Sequence, residues 1–134
     1  MTEGAYRRTT RGVRVTVDPR FLPAESAPDE DRYVFAYTIE IANLGARPVQ
    51  LVARYWRIVD GEGRVQEVRG AGVVGQEPVI APGEVFTYTS GCPLGTPHGT
   101  MEGHYTMSVA GGESFDVRIP AFPLESPFAR RVVH

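Results

Sequence analysis

The alternation of apolar and polar residues is the feature that most constrains how this chain can fold. In GVRVTVDPRF, Val13, Val15 and Val17 alternate with polar residues, and RYVFAYTIEIANLG continues this pattern over residues 33–41. A period of two places every second side chain on the same face of a β-strand. The segment VQLVARYWRIVD is apolar enough to form a third strand after these two. The chain is therefore predicted to consist of strands with one buried face.

Glycine and proline divide the rest of the sequence into short segments. The chain contains 15 Gly and 11 Pro, and turn-forming groups occur at 43–45, 60–64, 82–83 and 111–112. Short strands separated by such turns are typical of an antiparallel β-sandwich, and no segment has a convincing helical pattern. We predict an all-β fold, an antiparallel β-sandwich of the fibronectin type III or immunoglobulin-like kind with seven to eight strands.

The length of 134 residues fits a single domain that can bury its own core. We place the sandwich at residues 12–125, between flexible tails at 1–11 and 126–134 that lack strand patterning. The beginning of the sequence lacks the apolar core of a secretion signal, and no apolar run is long enough to span a membrane. The single cysteine, Cys92, excludes an intrachain disulfide. We expect a cytoplasmic protein with no membrane partner.

The charge of the chain disfavours nucleic acid as a partner. The formal net charge is −2, and all 14 cationic side chains are arginines spread along the sequence. A nucleic-acid-binding surface needs a basic excess or a concentrated basic face. No nucleic-acid partner is therefore expected.

The sequence RGAGVVGQEP contains Gly70, Gly72 and Gly75 at the spacing G-x-G-x-x-G, which elsewhere binds phosphates; we call residues 70–75 the glycine loop. A dinucleotide site requires a helix directly after the loop, and kinase-type and Walker-type sites require a lysine. Here prolines follow the loop, and the chain has no lysine. We expect the loop to have a structural or partner-binding role and predict no cofactor. Phosphate binding, with Arg69 as the nearby cation, remains the alternative.

Candidate metal ligands and nucleophiles are few. Cys92, His98 and His104 lie within a short segment but lack the paired spacing of a zinc site. A Cys–His nucleophile pair would lack a third orienting group. The acidic residues Glu25 and 29–31 could attract a hard cation but lack the ordered pattern of a calcium loop. We predict no catalytic residue and no metal ligand, with cation sensing by the acidic loop as a further possibility.

The single tryptophan, Trp56, is expected to fill the space between the two sheets, although an outward-facing Trp56 would indicate an interface. Alternation also predicts which other side chains are buried. The predicted core includes Val15, Val17, Phe35, Tyr37, Ile39, Trp56, Ile58, Phe86, Tyr88, Tyr105 and Val117.

The run YWRIVDGEGRVQEVRGAGVVGQEPVIAPGEVFTYTSGCPLGTPHGTMEGHYTM resembles the ApaG family. The elements W-x-I-x-D, G-x-G-V-V-G, P-G-E and S-G-x-P-L-x-T-x-x-G-x-M-x-G-x-Y occur in the family's order and spacing, and the resemblance covers about residues 12–124. It implies a fibronectin-type-III-like sandwich, a genetic link to cobalt and magnesium resistance, and a role in protein recognition. Tyr55 stands where relatives often have His, which weakens the case for a metal site there.

We therefore expect a non-enzymatic protein-interaction domain of the ApaG type that binds an unidentified protein. We expect the protein to be a monomer or a weak homodimer. Loops on a rigid sandwich commonly carry recognition, so the binding surface is placed at the glycine loop and the neighbouring SGCPLGTPHGTMEG segment. The predicted surface comprises Arg69, Gly70, Gly72, Val73, Val74, Gly75, Leu94 and Met101.

Overall fold

Two antiparallel sheets account for most of the chain in the computed structural model, which describes residues 6–128. The strands are β1 (Tyr6–Thr10), β2 (Val13–Phe21), β3 (Tyr33–Asn43), β4 (Val49–Asp60), β5 (Val65–Ala71), β6 (Val79–Ile80), β7 (Val85–Leu94), β8 (His98–Val109) and β9 (Ser114–Glu125). Two short 3-10 turns, Pro23–Glu25 and Pro28–Glu30, connect β2 to β3. No helix within residues 6–128 is long and apolar enough to cross a membrane.

The two sheets have different strand orders and enclose a shared core. The first sheet has the order β1-β2-β3-β7, and the second has the order β5-β4-β8-β9, with β6 pairing to β4. On one side of the sandwich, β1 and β2 pack against β9. On the other side, β7 and β5 are the last strands of their sheets. The sandwich is therefore closed along one side and leaves two strand edges on the opposite side.

The hairpin between β4 and β5 follows from the sequence DGEGR. The carboxylate of Asp60 accepts hydrogen bonds from the backbone N–H groups of Glu62, at 2.8 Å, and Arg64, at 3.0 Å. An aspartate that binds its own backbone in this way is a common turn-forming device. The hairpin sets the β4–β5 register, in which Trp56 lies opposite Val68.

The predicted β-sandwich is confirmed, with nine strands where seven to eight were expected. The expectation of flexible tails requires correction at both ends. Residues 6–10 form β1, and its single apolar side chain, Tyr6, explains why alternation missed it. At the other end, Ser126 is buried, and the ring of Phe128 lies 6.2 Å from that of Phe21. Residues 1–5 and 129–134 lie outside the described residues.

The core is built around Trp56, which is only 3% exposed. Its ring lies 5.2 Å from that of Tyr37, 6.0 Å from that of Phe122 and 6.5 Å from that of Tyr105, in edge-to-face arrangements. Such aromatic contacts add stabilisation to the burial of a large apolar surface. Ten of the eleven predicted core residues are buried, and Phe86 is partly buried against the core.

Replacing Trp56 tests this arrangement. We expect Trp56→Ala to lower the free energy of unfolding by about 3–5 kcal/mol, because the substitution leaves a large cavity between the sheets. The measurement is denaturant unfolding followed by circular dichroism. Val79→Ala is the control, because Val79 is 61% exposed and its truncation should change stability by less than about 0.5 kcal/mol. An unchanged midpoint for Trp56→Ala would contradict the core described here.

Candidate functional site

A β-bulge in β4 turns Arg54 toward the inside of the sandwich. Leu51 and Ala53 pair with adjacent residues of β8, so Val52 is an extra residue in the strand. A bulge of this kind reverses which side chains face inward. Leu51 points inward before the bulge, and Arg54 and Trp56 point inward after it. The shift therefore places one charged side chain on the same face as the core tryptophan.

Arg54 lies in a groove of about 390 Å³ at the open side of the sandwich. The groove runs between β5 and β7, with the end of the glycine loop beside it. Its lining includes Tyr37, Trp56, Tyr88 and Ser90, and it contains no Asp, Glu, His or Lys side chain. The groove is thus aromatic and polar, with Arg54 as its charged group.

The guanidinium of Arg54 is held against the start of the glycine loop. Its Nη1 donates hydrogen bonds to the carbonyl oxygens of Ala71, at 3.0 Å, and Gly72, at 2.9 Å. A Cβ atom on Gly70 would lie 2.8 Å from Nη2 of Arg54, so glycine at this position leaves room for the guanidinium. No carboxylate of residues 6–128 forms an ion pair with Arg54.

The charge of Arg54 acts on three tyrosines of the sandwich interior, Tyr37, Tyr88 and Tyr105. The hydroxyls of Tyr88 and Tyr105 form a hydrogen bond with each other, and Tyr105 is fully buried. Burial raises the pKa values of Tyr37, Tyr88 and Tyr105, and the positive charge of Arg54 opposes this effect only in part. Burial also raises the pKa of the Cys92 thiol to about 11. All four groups are therefore neutral at physiological pH.

The glycine loop ends in a tight two-residue turn. The backbone groups of Val73 and Gln76 exchange two hydrogen bonds of 2.8 Å, and the two residues between them, Val74 and Gly75, have φ angles of 43° and 78°. This pattern of positive φ values is typical of a hairpin turn. Gly72 also has a positive φ, and a Cβ atom there would collide with the carbonyl oxygen of Gln76. The glycines thus serve the turn itself.

Val74 is strained and exposed at the edge of the groove. A β-branched residue with positive φ is a true outlier, and the left-handed conformation costs about 1–2 kcal/mol for such a residue. Its side chain is 52% exposed and lines the groove. Strain of this kind at an exposed apolar residue directs attention to a binding role.

Several predicted surface residues occupy other places. Val73, Leu94 and Met101 are buried, with exposed fractions of 1%, 8% and 1%, and their placement on the surface was wrong. Alternation along β7 and β8 directs Leu94 and Met101 inward, whereas Val73 is buried in the turn that follows β5, where strand periodicity does not apply. Arg69 was expected beside the glycine loop, but its guanidinium carbon lies 4.5 Å from the ring centroid of Tyr55 on the outer face of the sheet.

Strand alternation in the sequence did not identify Arg54, the charged residue of the groove. The sequence does contain a signal for Arg54. Residues two apart in a strand share a face, so an inward-facing Trp56 places Arg54 and Ile58 on the inner face as well. Val49 and Leu51 suggested the opposite face for the same strand, and only the bulge at Val52 reconciles the two patterns. Of the predicted surface, the groove brings together Val73, Val74, Gly75 and Met101, with Gly70 and Gly72 contacting Arg54 or the turn.

The candidate metal ligands and nucleophile do not converge. Cys92 is buried. Nε2 of His104 lies 3.8 Å from a carboxylate oxygen of Asp116. His98 lies beside Gly61 at the β4–β5 turn. Within residues 6–128, no three His, Cys, Asp or Glu side chains are close enough together to hold a metal ion. The acidic residues between β2 and β3 are included in that finding.

These features define a small antiparallel β-sandwich domain with a groove at its one open side. The family model described as ApaG domain matches residues 23–109. Protein ApaG of Methylobacterium sp. (strain 4-46) is 65% identical over 129 residues, which cover 96% of this chain and 99% of that protein. Protein ApaG of Rhodospirillum centenum is 56% identical and covers 93% of this chain and 96% of its own length. The chain belongs to the ApaG family.

A solved structure supports the same fold. The crystal structure of the ApaA protein from Bordetella pertussis matches with a TM-score of 0.83 and 52% sequence identity. The match covers 91% of this chain and 96% of that one. The β-sandwich described above is therefore the fold of this solved structure as well.

The buried phenols predict how stability changes with pH. Their pKa values in the folded protein lie above the value of 10.0 that applies to an exposed tyrosine. Above pH 10 the unfolded chain loses these protons while the folded protein keeps them, so stability is present below pH 10 and falls as the pH rises further. We expect Tm, measured by circular dichroism, to decrease steeply between about pH 10 and 11.5. A constant Tm over this interval would contradict the burial of Tyr88 and Tyr105.

Proposed function

We propose that this protein is a non-enzymatic protein-interaction domain of the cytoplasm, and that its recognition surface is the groove between β5 and β7 with Val74 at its edge. The observation that carries the proposal is the groove itself, which is open to solvent and lined by aromatic side chains. Tyrosine, tryptophan and arginine are the residues most enriched at the centres of protein interfaces. An exposed, strained valine beside them extends the apolar part of this surface.

The chemistry of the groove supports binding over catalysis. Acid–base catalysis requires a group whose pKa lies near the working pH. The groove lining has no carboxylate, imidazole or amine, and burial moves the pKa values of its phenols and of the Cys92 thiol away from neutrality. A thiol that stays protonated is a poor nucleophile.

The hydrogen bonds of the glycine loop support a protein ligand over a nucleotide. Phosphate-binding loops direct free backbone N–H groups at the ligand. Here the N–H groups of Gly72, Val73 and Gln76 donate to the carbonyl oxygens of Val52, Gln76 and Val73. Arg69 faces away from the groove, stacked on Tyr55.

The resemblance to the ApaG family also implies a link to divalent-cation resistance. We place any such role in the partner protein, because within residues 6–128 no group of three ligating side chains could hold a metal ion. Under this proposal the domain affects cation handling through the protein it binds.

Two valines with nearly equal exposure provide a matched test. Val74 is 52% exposed beside the groove, and Val65 is 51% exposed at the far end of β5. We expect Val74→Asp to reduce the recovery of co-purifying proteins from a cell extract at least tenfold, because a carboxylate replaces apolar surface at the interface. Asp adopts positive φ more readily than Val, so the variant should be at least as stable as the wild type.

Val65→Asp adds the same charge at a similarly exposed valine outside the groove, so its recovery of partners should match that of the wild-type protein. The readout is quantitative mass spectrometry of proteins captured by each immobilised variant. Equal recovery by Val74→Asp and the wild type would move the binding surface elsewhere. A large loss of stability in Val74→Asp would show that Val74 contributes to the core.

A further inference from the structure

Arg54 is a partly buried cation without an anionic partner among residues 6–128. The ion pairs of this part of the chain lie at its surface, and none includes Arg54. Within the described part of the chain, its hydrogen-bond acceptors are the two carbonyl oxygens of the glycine loop, and both accept from Nη1. Nη2 and Nε remain available to a ligand that enters the groove.

The surroundings of Arg54 strengthen its attraction for an anion. Tyr37 and Tyr88 line the groove beside it and keep their protons at neutral pH, so they bring no negative charge. Interactions between charges are stronger in such a partly desolvated site than in water. The planar guanidinium binds a carboxylate through two parallel N–H donors.

The edge of β7 provides the second half of the site. β7 is the last strand of its sheet among the described residues, and Ser90, Gly91, Cys92 and Pro93 all line the groove. Gly91 and Pro93 lie on the outward-facing side of β7, yet both line the groove. The groove therefore reaches the backbone edge of β7. A free strand edge binds an extended peptide through main-chain hydrogen bonds. Pro93 has no N–H group and sets the limit of such pairing.

We propose that the groove binds an extended segment of a partner protein, which pairs with the edge of β7 and directs a side-chain carboxylate to the guanidinium of Arg54. This inference rests on the proposed function and names the chemistry of the ligand. The single positive charge matches a single carboxylate. The ligand is thus an acidic segment in a β-conformation, with apolar neighbours that contact Val74 and the aromatic lining.

A pair of short peptides tests this proposal directly. The probes are acetyl-Thr-Val-Glu-Val-Thr-amide and the same peptide with Gln in place of Glu, which differ only in the charge. Trp56 is the only tryptophan of the chain and lines the groove, so its fluorescence reports binding. We expect the Glu peptide to bind about tenfold more tightly, as a charged hydrogen bond predicts. Backbone amide signals of β7 should shift in NMR spectra.

Three variants assign the preference to Arg54. In Arg54→Gln the two peptides should bind equally, because the cation is gone. In Gly70→Ala the new methyl group displaces the flexible guanidinium of Arg54, which keeps its charge. The preference for the Glu peptide should therefore shrink to less than threefold. Arg69→Gln is the matched control on the outer face of the next strand and should keep the full preference. If Arg54→Gln fails to fold, Gly70→Ala and the peptide pair decide the question.

Equal binding of the two peptides by the wild-type protein would overturn the inference, as would a preference that survives in Arg54→Gln. No saturable binding at millimolar peptide would also overturn it. Displacement of the Glu peptide by inorganic phosphate or ATP at lower concentrations than the peptide itself would show a phosphate site instead. If Val74→Asp loses its partners while the Glu preference is absent, the carboxylate inference fails and the proposed function stands. If Val74→Asp keeps its partners, the proposed function fails.

Discussion

The extra residue in β4 is the constraint on which the rest of this structure depends. Because Val52 has no partner in β8, the second half of the strand turns its opposite set of side chains inward. Trp56 then fills the space between the sheets, and Arg54 enters the groove from the same face. Without the bulge, the strand would direct Tyr55 and Arg57 into the core instead. The bulge thus creates the aromatic core and the charged groove together.

The groove exists because the sandwich closes on only one side. β9 packs against β1 and β2, whereas β5 and β7 are the last strands of their sheets within residues 6–128. The glycine loop extends this open side, and its positive φ angles hold Val74 outward at a cost of about 1–2 kcal/mol. The three glycines of the G-x-G-x-x-G spacing therefore have structural roles in this loop. Gly70 accommodates Arg54, and Gly72 and Gly75 shape the turn.

Strand alternation was sufficient to predict the sandwich and most of its core, because apolar and polar residues alternate along a strand that has one buried face. It failed where that order is locally broken. β1 has only Tyr6 as an apolar residue, and the bulge at Val52 hides the inward direction of Arg54. Val73 and Leu94 were placed on the surface although both are buried, because Val73 lies in a turn and Leu94 at the end of β7, where alternation is a weak guide. The resemblance to the ApaG family covered the fold but offered no ligand.

We propose that Arg54 binds a carboxylate in the groove, and the NMR signal of the Arg54 side chain tests this binding most directly. The measurement is the ¹H–¹⁵N NMR signal of its Nε–H group, assigned by comparison with Arg54→Gln, during titration with the Glu-containing peptide. We expect a downfield proton shift and slower exchange with water for this signal, because a charged hydrogen bond forms and solvent leaves the groove. An unchanged Arg54 signal, together with shifts at another arginine such as Arg69, would contradict it.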